Sequence, residues 1–234
     1  MRLVHFACRN FRCLAEAVFE PGPGINVLRG DNAQGKTSLL EAILFTATSR
    51  SHRTSAEPEL VMRDAADFRL LARVARRDRE VEIEATWYKG AKRFKVNGVA
   101  QTRVSDILGK FSVVLFSPED LVLIKGPATH RRRFLDMALS QISGGYLNAL
   151  QRYRQALRQR NELLRAGAPA PELLEVWDEQ LTEHGGVLMA EREAFLGRLG
   201  PLAAEAYGRI TDGERMDLVY EPNVSHGEAL RTVL

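Results

Sequence analysis

Between Phe68 and Val96 apolar residues alternate with polar ones: Leu70, Ala72 and Val74, then Val81, Ile83, Ala85 and Trp87, then Phe94 and Val96. Successive side chains of a strand point to opposite faces, so a period of two predicts an antiparallel meander with one buried face. Lys89-Gly90 and Asn97-Gly98 fall at the reversals; the second is a dipeptide suited to a tight hairpin, with Val99 and Ala100 starting the return. Ahead of the meander, short apolar runs predict strands over residues 3–8, 14–19 and 25–28, separated by Asn10-Phe11-Arg12 and the turn Pro21-Gly22-Pro23-Gly24. After it, a short helix near 104–108 and a buried strand over 113–116 are expected.

Two other stretches follow a helical period. Ser38-Leu39-Leu40-Glu41-Ala42-Ile43-Leu44-Phe45 predicts a helix opening at Gly35 and running to about Thr46. The polar, basic segment Ser49-Arg50-Ser51-His52-Arg53-Thr54 behind it either lines a ligand site or is a solvated connector. Beyond Lys125-Gly126-Pro127, a helix carrying Arg131, Arg132, Arg133, Phe134, Leu135, Met137 and Ala138 breaks at Gly144-Gly145. Tyr146, Leu150, Tyr153, Leu157 and Leu164 then recur with heptad-like spacing, interrupted by Arg160. After a turn over 167–171, Leu174, Trp177, Leu181, His184, Leu188, Phe195, Leu199, Leu202 and Ala206 continue a similar seam. Two amphipathic arms joined by a short turn predict an antiparallel helix pair. Gly200-Pro201 is expected to kink or restart the second arm, and 216–220 reads as a strand. The chain divides on this pattern into a strand-rich part, 1–125, and a helical part, 126–234.

Composition adds limits. Hydrophobic residues make up 45% of the chain, with no apolar run approaching the ~18 residues of a membrane span and no export signal, so a cytoplasmic protein with no membrane partner is expected. Cys8 and Cys13 have neither redox nor zinc spacing and read as reduced thiols, and the five histidines are scattered, so any metal is expected to arrive with a ligand. Net charge is only +3, but its distribution is uneven: residues 126–166 hold eight arginines against Asp136 and Glu162, and residues 171–205 hold eight acids against Arg192 and Arg198. Either the basic arm contacts nucleic-acid phosphates, through Arg131, Arg132 and Arg133 with Arg152, Arg154 and Arg158, or the acidic arm neutralises it.

The chemistry sits between the run 25–28 and the helix that follows. Gly30-Asp31-Asn32-Ala33-Gln34-Gly35-Lys36-Thr37 fits the phosphate-binding loop pattern G-x-x-x-x-G-K-[ST] at every fixed position, in a strand, loop, helix order. The glycines let backbone N–H groups curl around phosphates, and the helix N-terminus adds its positive end. Lys36 is expected to reach the β- and γ-phosphates of ATP, and Thr37 to offer its hydroxyl to Mg²⁺. Ser117-Pro118-Glu119-Asp120 follows an apolar run and invites comparison with a Walker B motif. A catalytic carboxylate must leave the strand directly, whereas Ser117 and Pro118 intervene, so a cap or loop role is expected for both acids.

Taken together, these residues resemble the RecF family of bacterial DNA-repair proteins, whose ATPase heads are of the ABC type and related to SMC proteins. The likeness rests on Asn10-Phe11-Arg12, the run GDNAQGKTSLLEAI from Gly30, SRSHRT from Ser49, VVLFSPEDLVLIKG from Val113, RRRFLD from Arg131 and the helical YLNALQRYRQALRQRNELL. It implies an α/β fold, a P-loop ABC-type ATPase head with an antiparallel helix-pair lobe, and a nucleotide contact by Arg12. It also implies ATP-dependent dimerisation, binding at single-strand to double-strand DNA junctions, and recombinase loading with RecO and RecR partners in recombinational repair, replication and the SOS response. The family's signature and paired acids are not found, so the sequence is expected to be the N-terminal part of a longer ATPase and not to hydrolyse or dimerise on ATP by itself. A stand-alone P-loop kinase would need an acceptor site and a Walker B acid, neither of which is found; an SMC-like structural head would need much longer heptad arms.

Overall fold

The computed structural model describes residues 1–77, 79–167, 170–222 and 224. They fall into two compact units, divided between Leu121 and Val122.

The alternating segments build the sheet of the first unit. Strands β1 (Arg2–Phe11), β2 (Leu14–Phe19), β3 (Asp67–Ala75), β4 (Glu80–Tyr88), β5 (Ala91–Val96) and β6 (Val99–Gln101) lie in the order β2-β1-β3-β4-β5-β6, with every neighbour antiparallel. Register pairs Phe68 with Trp87, Leu70 with Ala85, Ala72 with Ile83 and Val74 with Val81, which turns the apolar positions of β3 and β4 to one face. The other face carries charge, including Arg69 on Glu84 at 3.0 Å. Lys89-Gly90 and Asn97-Gly98 turn the hairpins with all four residues at positive φ, as a tight two-residue reversal requires.

Helix α1 (Lys36–Thr48) covers the apolar face. Phe45 enters between Phe11, Phe68 and Phe94, with ring centroids 6.4, 5.5 and 6.2 Å away. Truncating such a buried ring to alanine costs about 3–5 kcal/mol.

Two expected strands do not form. Residues 25–28 and 113–116 belong to no strand of the sheet, and Ile25, Val27, Val114 and Phe116 are 95%, 74%, 92% and 85% exposed. Apolar, β-branched sequence makes a strand possible, but a strand is a ladder of paired backbone, and Val113 is tied in by packing on the core of the unit instead. Residues 216–220 likewise form no strand, and the helix expected at 104–108 is a single 3₁₀ turn, Val104–Asp106.

The second unit is helical: α2 (Val122–Lys125), α3 (Ala128–Ile142), α4 (Gly144–Ala166) and α5 (Pro171–Gly208). The break before α4 falls at Ser143, whose extended backbone and hydroxyl, accepting Tyr146 N–H at 3.1 Å, make it the N-cap; the two glycines open the new helix. The turn expected over 167–171 lies partly outside the described residues. Arms α4 and α5 run antiparallel, as the pairs Arg160–Asp178 and Tyr146–Arg192 require. Their seam is displaced from the expected one: Tyr146, Ala149, Leu150 and Ala156 are buried, whereas Leu157 and Leu164 are 37% and 44% exposed. Two alanines permit close approach, and the seam follows them instead of the leucines. Helix α5 continues through Pro201 without a restart. The ring removes one helical bond, to Gly197 at an exposed position where water can replace it. Among the described residues no helix is long and apolar enough to cross a membrane.

One carboxylate ties the three long helices together. Asp136 on α3 accepts the Tyr146 hydroxyl at 2.5 Å, Arg192 at 2.6 Å and Arg154 at 2.8 Å, and Arg192 also donates to the Tyr146 oxygen at 3.0 Å. Tyr146 is wholly buried, and burial together with the neighbouring carboxylate pushes its phenol above the usual tyrosine value.

Candidate nucleotide site and the carboxylate behind it

The loop 30–37 owes its shape to three residues on the positive side of φ: Gly30 at 148°, Ala33 at 65° and Gly35 at 88°. Gly35 is fixed twice over. Its left-handed backbone favours glycine, and a Cβ there would fall 2.5 Å from Cδ2 of Leu14 and 3.2 Å from Sγ of Cys13, at the start of β2. The loop is thereby seated against the β1–β2 turn, and α1 begins at the next residue. No side chain caps α1, and its first internal bond runs from Leu39 N–H to Gly35 O at 2.8 Å. Helix geometry leaves the amides of Lys36, Thr37 and Ser38 without intrahelical partners, donors of the kind that suit an anion. The Lys36 ammonium folds back over the loop, donating to Gly30 O and Asp31 O at 2.7 Å each. Thr37, Asp31, Asn32, Ala33 and Gln34 are exposed or half-buried. Both cysteines are free, and burial pushes the Cys8 thiol up to about 11.

Behind the loop, α1 carries a glutamate on its core-facing side. Ser38, Glu41, Ala42 and Phe45 share the buried face at helical spacing, and Glu41 is 0% exposed. Its two oxygens take Arg12 as a fork, Nη2 to Oε1 at 2.8 Å and Nε to Oε2 at 3.0 Å. The Ser51 hydroxyl donates to Oε1, and Arg53 reaches Oε2 at 3.5 Å. Burial pushes this carboxyl upward, but hydrogen bonds from Arg12 and Ser51 and the charges of Arg12 and Arg53 outweigh it, holding Glu41 below the ordinary glutamate value.

Arg12 reaches that position through an unusual backbone. Asn10 and Arg12 both have positive φ, 56° and 54°; Arg12 N–H donates to Leu60 O and Met62 N–H to Asn10 O, at 2.8 Å each. Arg12 Nη1 closes the link on Glu59 O at 2.9 Å. Three of its five N–H donors are thus taken by Glu41 and Glu59.

The segment 49–54 is organised around the same carboxylate. Ser51 is buried, donates to Glu41 and accepts N–H bonds from Arg53 and Thr54 at 2.9 and 3.1 Å. The segment is therefore more than a solvated connector. Burial holds His52 below its usual value, and its Nδ1 has no partner among the described residues. Asp120 accepts Ser117 N–H at 2.7 Å and the Ser117 hydroxyl at 3.3 Å, closing a turn. Glu119 is held below the ordinary value by its own amide, then the Ser117 hydroxyl, with smaller contributions from the charges of His52 and Arg53. The blocks NFR and SRSHRT thus meet at Glu41, on the helix that follows the loop, and SPED lies near His52 and Arg53. No motif marks Glu41 in the sequence; the signal for it is a lone glutamate on the apolar face of a helix, which a cation must meet.

The arginine cluster divides. Arg131 donates to Leu123 O and Gly126 O at 3.1 and 2.9 Å, fastening α3 to the end of α2. Arg132 and Arg133 are exposed and make no ion pair among the described residues.

Comparison with known proteins agrees with this geometry. The AAA domain family matches residues 6–182. The chain is 45% identical over 201 residues to the DNA replication and repair protein RecF of Symbiobacterium thermophilum, covering 85% of this chain and 54% of that protein. It is 41% identical over 209 residues to RecF of Bacillus cytotoxicus, covering 88% and 56%. A solved structure of the recombination mediator protein RecF-ATP in the RecFOR pathway superposes with a TM-score of 0.90 at 34% identity, over 98% of this chain and 65% of that one. The chain thus spans little more than half the length of these two curated relatives. With the loop, the helix behind it and most of the chain matched, it belongs to the AAA domain family and carries the RecF-type form of that domain.

Proposed function

We propose that residues 30–37 bind ATP, as the nucleotide module of a protein that binds DNA at gaps and junctions and helps load recombinase during repair. The observation that carries the reading is the loop itself: positive φ at Gly30, Ala33 and Gly35, an uncapped α1, and Lys36 lying over Gly30 O and Asp31 O. Phosphate oxygens entering the cradle would take the free amides and draw Lys36 from the carbonyls, exchanging two neutral acceptors for an anion. Thr37 would hold Mg²⁺ through its hydroxyl; the ion would supply charge neutralisation between phosphate oxygens. The relatives named for DNA replication and repair, and the RecF-ATP structure, support the assignment.

Arg12 serves the site from behind by fixing Glu41, with a direct nucleotide contact left to its two uncommitted N–H groups. Asp120 is engaged in a cap, so binding is assigned to these residues without hydrolysis or ATP-dependent dimerisation. RecO- and RecR-type partners and a junction preference belong to the same proposal. DNA contact by Arg132 and Arg133 rests on their exposure, with Arg131 holding their helix in place.

Lys36→Ala removes a charge-assisted contact worth about 1.5–3 kcal/mol and should weaken ATP at least about tenfold in a calorimetric titration with Mg²⁺. Equal affinities for the variant and the parent would overturn the assignment. Steady-state phosphate release, or sedimentation showing an ATP-induced dimer, would overturn its limitation to binding.

A further inference from the structure

We infer that the distal half of α4 is a track for the phosphodiester backbone of duplex DNA, formed by Arg154, Arg158 and Arg165 with Asn161 between them. The inference rests on the DNA reading above and says where in this unit the duplex lies.

The face of α4 that begins with Leu147 and Leu150 continues, at spacings of three and four residues, through Arg154, Arg158, Asn161 and Arg165. Leu147 and Leu150 are 7% and 5% exposed, where α3 packs on this helix. Composition changes from leucine to arginine at Arg154, and Arg154 marks the edge of that cover, with one guanidinium nitrogen on Asp136 of α3 and its side chain still 45% exposed. Past it Arg158, Asn161 and Arg165, with Arg154 and Leu157, line a shallow depression that opens to solvent along the helix. Among the described residues neither Arg158 nor Arg165 has an ion pair; Glu162, the nearby acid on the helix, pairs with neither.

Among the described residues no acid of α5 forms an ion pair with Arg158 or Arg165. The seam of α5 contains Leu181 and Leu188, and at 100° per residue Glu172, Glu179 and Glu183 fall away from it. The ion pair Arg160–Asp178, which does join the arms in this stretch, lies off the arginine face. The hairpin is therefore polarised, basic along distal α4 and acidic along the outside of α5, which directs a polyanion to one side.

A duplex is favoured over a single strand. Single-strand sites stack bases on aromatic side chains, and this face has none. Arginines rising about 6 and 10.5 Å along a helix suit backbone phosphates, and base edges are not read.

The test is fluorescence anisotropy of the 234-residue chain with a labelled duplex and a labelled oligo-dT strand, between about 50 and 200 mM salt. Arg158→Gln with Arg165→Gln should flatten the duplex slope of log affinity against log salt by about 1.8, since each phosphate no longer neutralised takes away about 0.9, and should weaken duplex binding at least about tenfold at low salt. Arg158→Lys with Arg165→Lys should keep the slope, which a packing role would not do, and Glu172→Gln with Glu179→Gln should not weaken binding. If the parent binds duplex and the double glutamine variant keeps the full slope, the track is overturned while the DNA reading stands. A loss confined to the single strand, or a change only in self-association, also overturns the track. If the parent binds neither probe, the DNA reading itself fails.

Discussion

Each unit of this protein contains a carboxylate that accepts two arginines and one hydroxyl. In the first unit Glu41 takes Arg12, Arg53 and Ser51; in the second Asp136 takes Arg192, Arg154 and Tyr146. The chemistry is alike and the settings differ. Glu41 is wholly buried and joins a helix to two loops, whereas Asp136 is 13% exposed and joins three helices; in each, one of the two arginines is about half exposed. A buried carboxylate gains nothing over apolar packing by being charged, but removing it strands its cations, so both sites are expected to be costly to break and unequal in cost.

The largest effect is expected at Glu41→Ala, which leaves Arg12 without its partner in a nearly closed site and should lower the unfolding free energy of the first unit by about 3–5 kcal/mol. Trp87 lies in this unit and Trp177 in the other, so denaturation of single-tryptophan variants follows each separately. A loss below about 1 kcal/mol would show that the Glu41 network is ornamental to stability. Asp136→Ala should cost less, about 2–3 kcal/mol in the second unit, because that carboxylate is 13% exposed and water can reach the groups it leaves, whereas Glu41 is closed off. Equal losses at the two sites would remove burial as the source of the difference.

Smaller again is Tyr146→Phe, about 1–2 kcal/mol, since it deletes one hydroxyl and leaves Asp136 with both arginines. The least effect near neutrality concerns pH. Because the folded value of Glu41 lies below its unfolded value, its contribution is complete above the ordinary glutamate range near about 4.3 and is lost as pH falls through the lower folded value. The midpoint reported by Trp87 should hold from neutrality to about pH 5 and fall on further acidification, and Glu41→Gln should reduce that dependence. An identical acid profile in the glutamine variant would move the effect to other carboxylates.

What was legible in the chain follows the range over which its causes act. The meander was readable from the alternation in β3 and β4 and from Lys89-Gly90 and Asn97-Gly98, because neighbouring strands supply each other's partners. The glycine loop and the helix start after it were readable because the motif lies within eight residues, Gly30–Thr37, and the structure turns at Gly30 and Gly35 and begins α1 at Lys36. The runs 25–28 and 113–116 form no strand because apolar content states a preference while a strand needs a neighbour. The seam of α4 shifted from Leu157 to Ala156 because the shape of the opposing helix, absent from any one-helix pattern, decides which side chains fit.

The sequence by itself determined the local elements: the turns, the loop that admits glycine at residue 35, the amphipathic arms and the family likeness carried by NFR, SRSHRT, SPED and RRRFLD. Only the tertiary structure decided where the arginines of those blocks and arms are spent. Arg12 is bound to Glu41 across 29 residues and Arg192 to Asp136 across 56, while Arg158 and Arg165 are left facing solvent. The physical reason is that a guanidinium has the same charge and donors wherever it stands, and its partner is chosen by the fold that brings a carboxylate within reach.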